Sequence, residues 1–429
     1  MLSHQDLVLS SGLPVVVVPQ SNVHRAVAAL FLRVGARYET PETNGLSHFL
    51  EHMAFRGTRT FPSAHTQALA FERLGGTLFA ATSVDHGVMS IAVPPRNFER
   101  VIELLGEVAT TPRFSDIEIE RGIVREEILE DLDDDGRVID ADDLARKLIF
   151  EEHSLGYRIT GGLETLSRFD EGMLRTHHGR HYTTSNALLC LSGNFDVKAS
   201  LAAAERAFHT MPKGSRVAST SPTNGQTRAR FQYVKNQSSQ TDLRIAFRAV
   251  SEHDALEPAV EMLLRVLDDG MSTRLYERIC DRLGLCYDVS GMFESYEDDG
   301  VVDISAGMAH ERATLVLKEL FTLVDELAEH GPTPEELDKA KDRHLWSVEA
   351  MLDDPEEVAG FYGLSALTAG ARTPMERHEQ LASVTPAGVR DAAQRVFRPE
   401  RMGVVAVGML KRSEEAKMEK VVQGFGGKP

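Results

Sequence analysis

Cysteine is scarce. The chain of 429 residues holds three, Cys190, Cys280 and Cys286, which leaves one unpaired in any disulfide scheme, and no CxxC or Cys/His finger spacing occurs. Sulfur is therefore neither the staple of the fold nor a metal ligand. Long apolar runs are also missing: stretches such as Val15–Val18 and Ala26–Leu32 are strand-sized, well short of the roughly 18–20 residues of a membrane helix. Positive charge is in deficit, with 47 Lys+Arg against 65 Asp+Glu, and a formal charge of −18 repels phosphate backbones and argues against a nucleic-acid ligand. No G-x-S-x-G elbow, P-loop or dinucleotide fingerprint is present, since Gly161-Gly162 lacks the Lys-Ser or third glycine that phosphate binding needs. Serine catalysis and nucleotide chemistry fall away. The segment Met1–Leu7 lacks a basic stretch leading into an apolar one, so no secretory signal is expected and a cytoplasmic location is the default.

What remains has globular proportions, 42% hydrophobic and 26% charged with 17 prolines, and length enough for two cores. Residues 211–226, MPKGSRVASTSPTNGQ, read as a linker. They predict an N-terminal domain over 1–210 and a C-terminal domain over 227–429. The halves look like a diverged duplication: Phe98–Thr111 followed by Ser115-Asp116 resembles Ala313–Glu329 followed by Thr333-Pro334, and Tyr182–Asn194 resembles Phe397–Gly408. In the first half, strands are expected at Leu7–Leu9, Pro14–Val18, Ala26–Val34, Thr77–Thr82 and Val88–Val93, with helices from Gly45 to Phe55 and Ser63 to Leu74. The pattern is α+β, with sheets backed by helices.

The chemistry concentrates in His48-Phe49-Leu50-Glu51-His52. Histidines at i and i+4 project from one helix face and can grip one ion, while Glu51 stands where it could take a proton from a nearby water. Leu46, Phe49, Leu50 and Met53 supply the apolar face of the same helix. A further ligand must come from elsewhere, and Glu118, Glu120, Glu126, Glu127 and Glu130 all lie on a helix expected from Ser115. Spacing alone does not choose among them. The acidic run 126–143 reads as a solvated face that would also steer basic peptides. His177, His178 and His181 read as polar residues at a helix end, and Asp85-His86 as a structural turn pair.

The run Gly45–Thr58, GLSHFLEHMAFRGT, closely resembles the metal-binding helix of the inverzincin peptidases, the family of pitrilysin, insulin-degrading enzyme and mitochondrial processing peptidase. Glu120–Glu127, ERGIVREE, resembles the family's second motif. The resemblance implies Zn2+ held by His48, His52 and Glu127, with Glu120 supporting the site and Glu51 as general base. It also implies that peptide substrate lies along an edge strand, Leu78, Phe79, Ala80, Ala81 and Thr82, and that Tyr287 holds it near the scissile bond. Two residues depart from the pattern: Phe79 stands where the family commonly has Asn, and Cys280 where it has Arg. A thiol cannot offer the guanidinium's charged fork. The fold implied is two homologous halves, each a sheet-and-helix roll, together forming half of a clamshell. The implied function is a zinc endopeptidase closed into a dimeric chamber, Cys280 pointing to a heterodimer with a homologous chain that supplies an Arg/Tyr pair, and a homodimer as the alternative. The rival expectation is a catalytically silent core or scaffold subunit.

Overall fold

The computed structural model describes residues 3–368, 370 and 372–426, so Met1 and Leu2 of the N-terminal stretch lie outside it. The chain forms two compact units, and neither is one continuous stretch. The first comprises 1–130, 157–220 and 347–374; the second comprises 131–156, 221–346 and 375–429.

The first unit is built on a six-stranded sheet. Its strands are β1 (Gln5–Val8), β2 (Pro14–Pro19), β3 (Ala26–Leu32), β4 (Phe79–Thr82), β5 (Gly87–Val93) and β6 (Ala187–Gly193), in the order β1-β2-β6-β3-β5-β4. Only the β2–β6 pairing is parallel. β3 and β6 are buried along their whole length, which fits their unbroken apolar sequences AVAALFL and ALLCLSG. β5, GVMSIAV, instead alternates buried and half-buried residues. The helices of its first segment are α1 (Leu46–Met53), α2 (Ala64–Glu72), α3 (Phe98–Thr110) and α4 (Ile117–Glu130).

The second unit holds β7 (Arg230–Lys235), β8 (Thr241–Arg248), β9 (Cys286–Ser295), β10 (Gly300–Met308) and β11 (Met402–Gly408), in the order β7-β11-β8-β10-β9. This repeats β2-β6-β3-β5-β4 strand for strand. Ala26 and Thr241, which open β3 and β8, stand 215 residues apart, as do Ala187 and Met402, which open β6 and β11. Duplication of one sheet-and-helix roll accounts for both sheets.

A single boundary at 211–226 does not describe the units, because each half lends the other a helix. α5 (Ala141–Phe150), from the first half of the sequence, packs on β8 and β11 of the second unit. The chain then returns to the first unit through a single turn, α6 (Leu163–Leu166), then α7 (Glu171–His181) and α8 (Val197–Phe208). Past the linker come α9 (Glu257–Leu267), α10 (Ala313–His330), α11 (Pro334–Met351) and α12 (Pro355–Leu367). α12 packs back on β3 and β6, its Val358, Ala359 and Tyr362 closing a core with Val27, Ala29 and Phe31. Close fit makes this seat specific: a Cβ on Gly363 would fall 2.0 Å from the Phe31 ring. Among the described residues no helix is long and apolar enough to cross a membrane.

Candidate metal centre

α1 begins where Gly45 takes a left-handed φ of 93°. A Cβ there would lie 2.6 Å from the Thr160 carbonyl oxygen, so glycine alone fits. The exposed N–H groups of the first turn are satisfied from a distance, by the buried carboxylate of Glu39. It accepts from Gly45 N–H at 2.8 Å, Ser47 N–H at 2.7 Å and Asn44 Nδ2 at 3.1 Å. Burial pushes the Glu39 pKa up, and these hydrogen bonds oppose the shift.

α7 braces the same turn. His177 Nε2 and Ser47 Oγ are hydrogen-bonded at 2.9 Å, and His181 Nδ1 donates to the Arg33 carbonyl at 2.7 Å. His177 and His181 stand at the end of α7, as the sequence suggested, and are buried there, His181 completely (0%). Burial pushes the His181 imidazole down to about 4. His178 donates from Nε2 to the Ala109 carbonyl at 2.9 Å, and Asp85 accepts from His86 Nδ1 at 2.9 Å in the β4–β5 turn.

With α1 held at its start, His48 and His52 stand one turn apart, their ring centroids separated by 4.6 Å. Both aim Nε2 at Glu127 on α4: His48 Nε2 lies 3.4 Å from Oε1 and His52 Nε2 lies 3.5 Å from Oε2. One donor atom from each of the three residues lies within 4.8 Å of the others, the only such group of His, Cys, Asp or Glu found among the described residues. Donors about 2.0–2.2 Å from a tetrahedral ion are separated from one another by about 3.4 Å. The two nitrogen–oxygen distances, one to each oxygen of the carboxylate, lie close to that edge, and two imidazoles with a carboxylate are a donor set that zinc takes, so the residues present fit a zinc ion.

The electrostatics suit a ligand set. Burial, and then the neighbouring His52, push the His48 imidazole down to about 4, so its lone pair is available at neutral pH. For His52, burial works downward, but the hydrogen bond to Glu120 and the charges of Glu51, Glu120 and Glu127 outweigh it and raise the pKa. His52 Nδ1 donates to Glu120 Oε1 at 2.8 Å, which fixes the tautomer that leaves Nε2 free to ligate. Arg56 pairs with the other Glu120 oxygen. Against the desolvation of its buried site, hydrogen bonds from His52 and Arg56 hold Glu120 below the usual carboxylate range. His48 has no such orienting contact, for its Nδ1 finds no hydrogen-bond partner.

Glu51, on the same turn, reaches the sheet instead. Thr82 Oγ1 donates to its Oε2 at 2.7 Å, which couples the carboxylate to β4. Burial raises the Glu51 pKa, partly opposed by Thr82. β4 is the last strand of its sheet and pairs with β5 alone. Phe79, Ala80, Ala81 and Thr82 form it, whereas Leu78, expected to be part of the edge, is buried just before the strand begins.

The structure therefore gathers His48, Glu51, His52, Glu120, Glu127 and Thr82 in one unit. Tyr287 belongs to the other unit, near the start of edge strand β9, and is 93% exposed. Cys280 lies in a π-helical segment, Tyr276–Arg282, just before that strand. The arginines beside it in sequence are engaged, Arg278 with Glu326 at 2.8 Å and Arg282 with Glu277 at 3.8 Å. Burial pushes the Cys286 thiol up to about 12. Three contributors escaped the sequence reading: Glu39 as a remote cap, Arg56 as the second partner of Glu120, and Thr82 as the partner of Glu51. Arg56 alone had a local signal, lying one turn beyond His52 on the chain.

Comparison with known proteins agrees with this architecture. Residues 15–142 match the family model for insulinase, peptidase family M16, and residues 168–343 match the model named peptidase M16 inactive domain. An "uncharacterized zinc protease" of Streptomyces coelicolor is 26% identical over 423 residues, covering 96% of this chain and 91% of the relative. One of Bacillus subtilis is 29% identical over 397 residues, covering 90% and 94%. Among solved structures, a protease from Helicobacter pylori superposes with a TM-score of 0.87 at 19% identity, covering 95% of this chain and 100% of its own. A peptidase M16 inactive domain from Pseudomonas fluorescens gives 0.87 at 21% identity, covering 96% and 99%. The chain belongs to peptidase family M16.

Proposed function

We propose that this M16 chain is a zinc-dependent endopeptidase acting on extended peptides, its ion held by His48, His52 and Glu127. The observation that carries the proposal is the convergence of two imidazole nitrogens and a carboxylate at the spacing of a tetrahedral edge. Zinc, when bound, supplies Lewis acidity that polarises a scissile carbonyl and acidifies water beside it.

The protein's own residues do the rest. Glu51 takes a proton from water on its carboxylate and hands it to the leaving amine, while the Thr82 hydroxyl fixes the direction in which that carboxylate faces. Glu120 keeps the His52 proton on Nδ1. The peptide adds as a further strand to the free edge of β4, so main-chain hydrogen bonds give affinity with little demand on sequence. Tyr287 would hold the peptide near the scissile bond. With Cys280 where an arginine is expected, the reading includes a homologous partner chain that supplies an Arg/Tyr pair and closes the chamber, and a homodimer is the alternative.

A silent scaffold role draws on the inactive-domain match over 168–343. That span contains none of His48, His52 and Glu127, which fall within 15–142. Glu51→Gln separates the readings. A peptidase variant retains its zinc and loses hydrolysis of an unstructured peptide; a scaffold shows no hydrolysis in the parent protein, whether alone or with its partner.

A further inference from the structure

The face of the first sheet turned away from Glu51 carries an open groove, and strand register fixes what lines it. Phe79 lies opposite Ser90 and Ser90 opposite Ala29; Ala81 lies opposite Val88 and Val88 opposite Phe31. These two cross-strand rows share one face, while Ala80 and Thr82 turn to the other, where Thr82 meets Glu51. α12 covers β2, β3 and β6. Beyond it opens a groove of about 410 Å³, lined by Phe31, Phe79, Val88 and Leu364 together with the polar His86 and Ser90.

Gly360 of α12 faces this space. A Cβ built on it meets no atom within 4 Å, whereas one on Gly363 would collide with Phe31. Packing accounts for Gly363 and not for Gly360, although glycine in a helix interior is disfavoured relative to alanine. Glycine at 360 leaves this space open, and any larger side chain there would enter the groove.

We infer that the groove is a specificity subsite for a large apolar side chain, Phe, Leu or Met, of the peptide substrate; the inference rests on the edge-strand binding proposed above. A peptide paired to β4 extends both rows by one residue each. Its alternate side chains then turn toward the groove, and those between them turn toward Glu51. Ala81, with nothing beyond Cβ, leaves the way from the strand edge to Val88 open. Glu356 and Glu357 also line the groove, Glu356 paired with Arg25 at 3.4 Å, so its polar groups lie beside an aliphatic and aromatic wall formed by Val27, Phe31, Val88 and Leu364.

The test is a positional-scanning peptide library incubated with the zinc-loaded full-length protein, products being read by mass spectrometry. Phe, Leu or Met should be favoured over Ala by about tenfold or more at positions two apart, and not at the position between. Gly360→Leu fills the groove from the helix and should collapse that ratio. Val88→Phe fills it from the sheet and should do the same by an independent route, while Gly360→Ala, which leaves most of the space, should preserve it. A preference for Lys or Arg at those positions, no preference at all, or one that survives both filling variants overturns the subsite. Hydrolysis without the alternate pattern removes the subsite and leaves the peptidase reading standing; no hydrolysis of any peptide, by the chain alone or by the complex isolated with its partner, removes both.

Discussion

In the first unit the helix after central strand β3 carries His48, Glu51 and His52. In the second, at the same 215-residue separation that relates β3 to β8, the helix after β8 carries Leu263, Val266 and Leu267, all fully or nearly buried. The strand order of the two sheets is the same. This roll therefore folds with leucine on that face and does not need a metal to do so. His48 and His52 are polar groups placed where the duplicate puts apolar core, and burying an imidazole without a full set of partners costs stability. A chain that keeps them there, backed by Glu39, Glu120 and Arg56, has spent stability on a site.

Exchanging residues between the units gives the largest expected effects. His48→Leu, which copies the second unit, should reduce bound zinc to background and abolish hydrolysis while thermal stability, compared with the zinc-free parent, holds or rises. The reverse exchange, Leu263→His, puts an imidazole in a closed apolar core. It should destabilise the second unit by about 2–5 kcal/mol in denaturant unfolding and recruit no zinc. Recovery of a second bound zinc in that variant would show that the units differ less than their cores indicate.

Glu51→Gln should lower kcat by about 10²–10⁴-fold at unchanged zinc content, the range expected for a positioned general base. Glu120→Gln leaves the three ligands in place and removes the charge behind His52. A 10–100-fold loss of zinc affinity is expected by competition with a chelator, with hydrolysis restored when zinc is added in excess.

The pH dependence of zinc retention follows from the two imidazoles. Protons compete with the ion for Nε2, so affinity falls as pH falls. The first loss should accompany protonation of His52, whose pKa is raised by its carboxylate neighbours, and a second, steeper one should come only as His48 titrates near 4. Equilibrium dialysis across pH checks both the direction and the two steps. The smallest change is expected from Thr82→Val, which keeps β4 and releases the Glu51 carboxylate. Water can replace the lost donor at this half-exposed carboxylate, so the loss should stay within the about 0.5–1.5 kcal/mol of an ordinary hydrogen bond, and hydrolysis should fall by about tenfold or less with zinc unaffected.

How much of this was legible in the chain differs by residue. His48 and His52 were, because i,i+4 spacing on a helix is a local geometric statement. Glu127 was not legible from spacing, since five glutamates of the helix compete and the choice depends on which face of α4 packs against α1; the family motif singled it out. Glu39 was invisible, for a loop carboxylate six residues before Gly45 becomes a cap only when the chain folds back over it. The contact of Thr82 with Glu51 depends on the register of β4 against β5, which no local pattern encodes. The strands of the first unit followed from apolar runs and turns. The reciprocal loan of α5 and α12 did not, because an amphipathic helix states that it must cover a sheet but not which of two equivalent sheets it covers.

The central claim is the identity of the three ligands, and zinc-edge anomalous diffraction from crystals of the full-length protein tests it most directly. The account predicts one strong peak per chain, about 2.0–2.2 Å from His48 Nε2, His52 Nε2 and a Glu127 carboxylate oxygen. A peak elsewhere, or none at that position from protein that hydrolyses peptides, would contradict it.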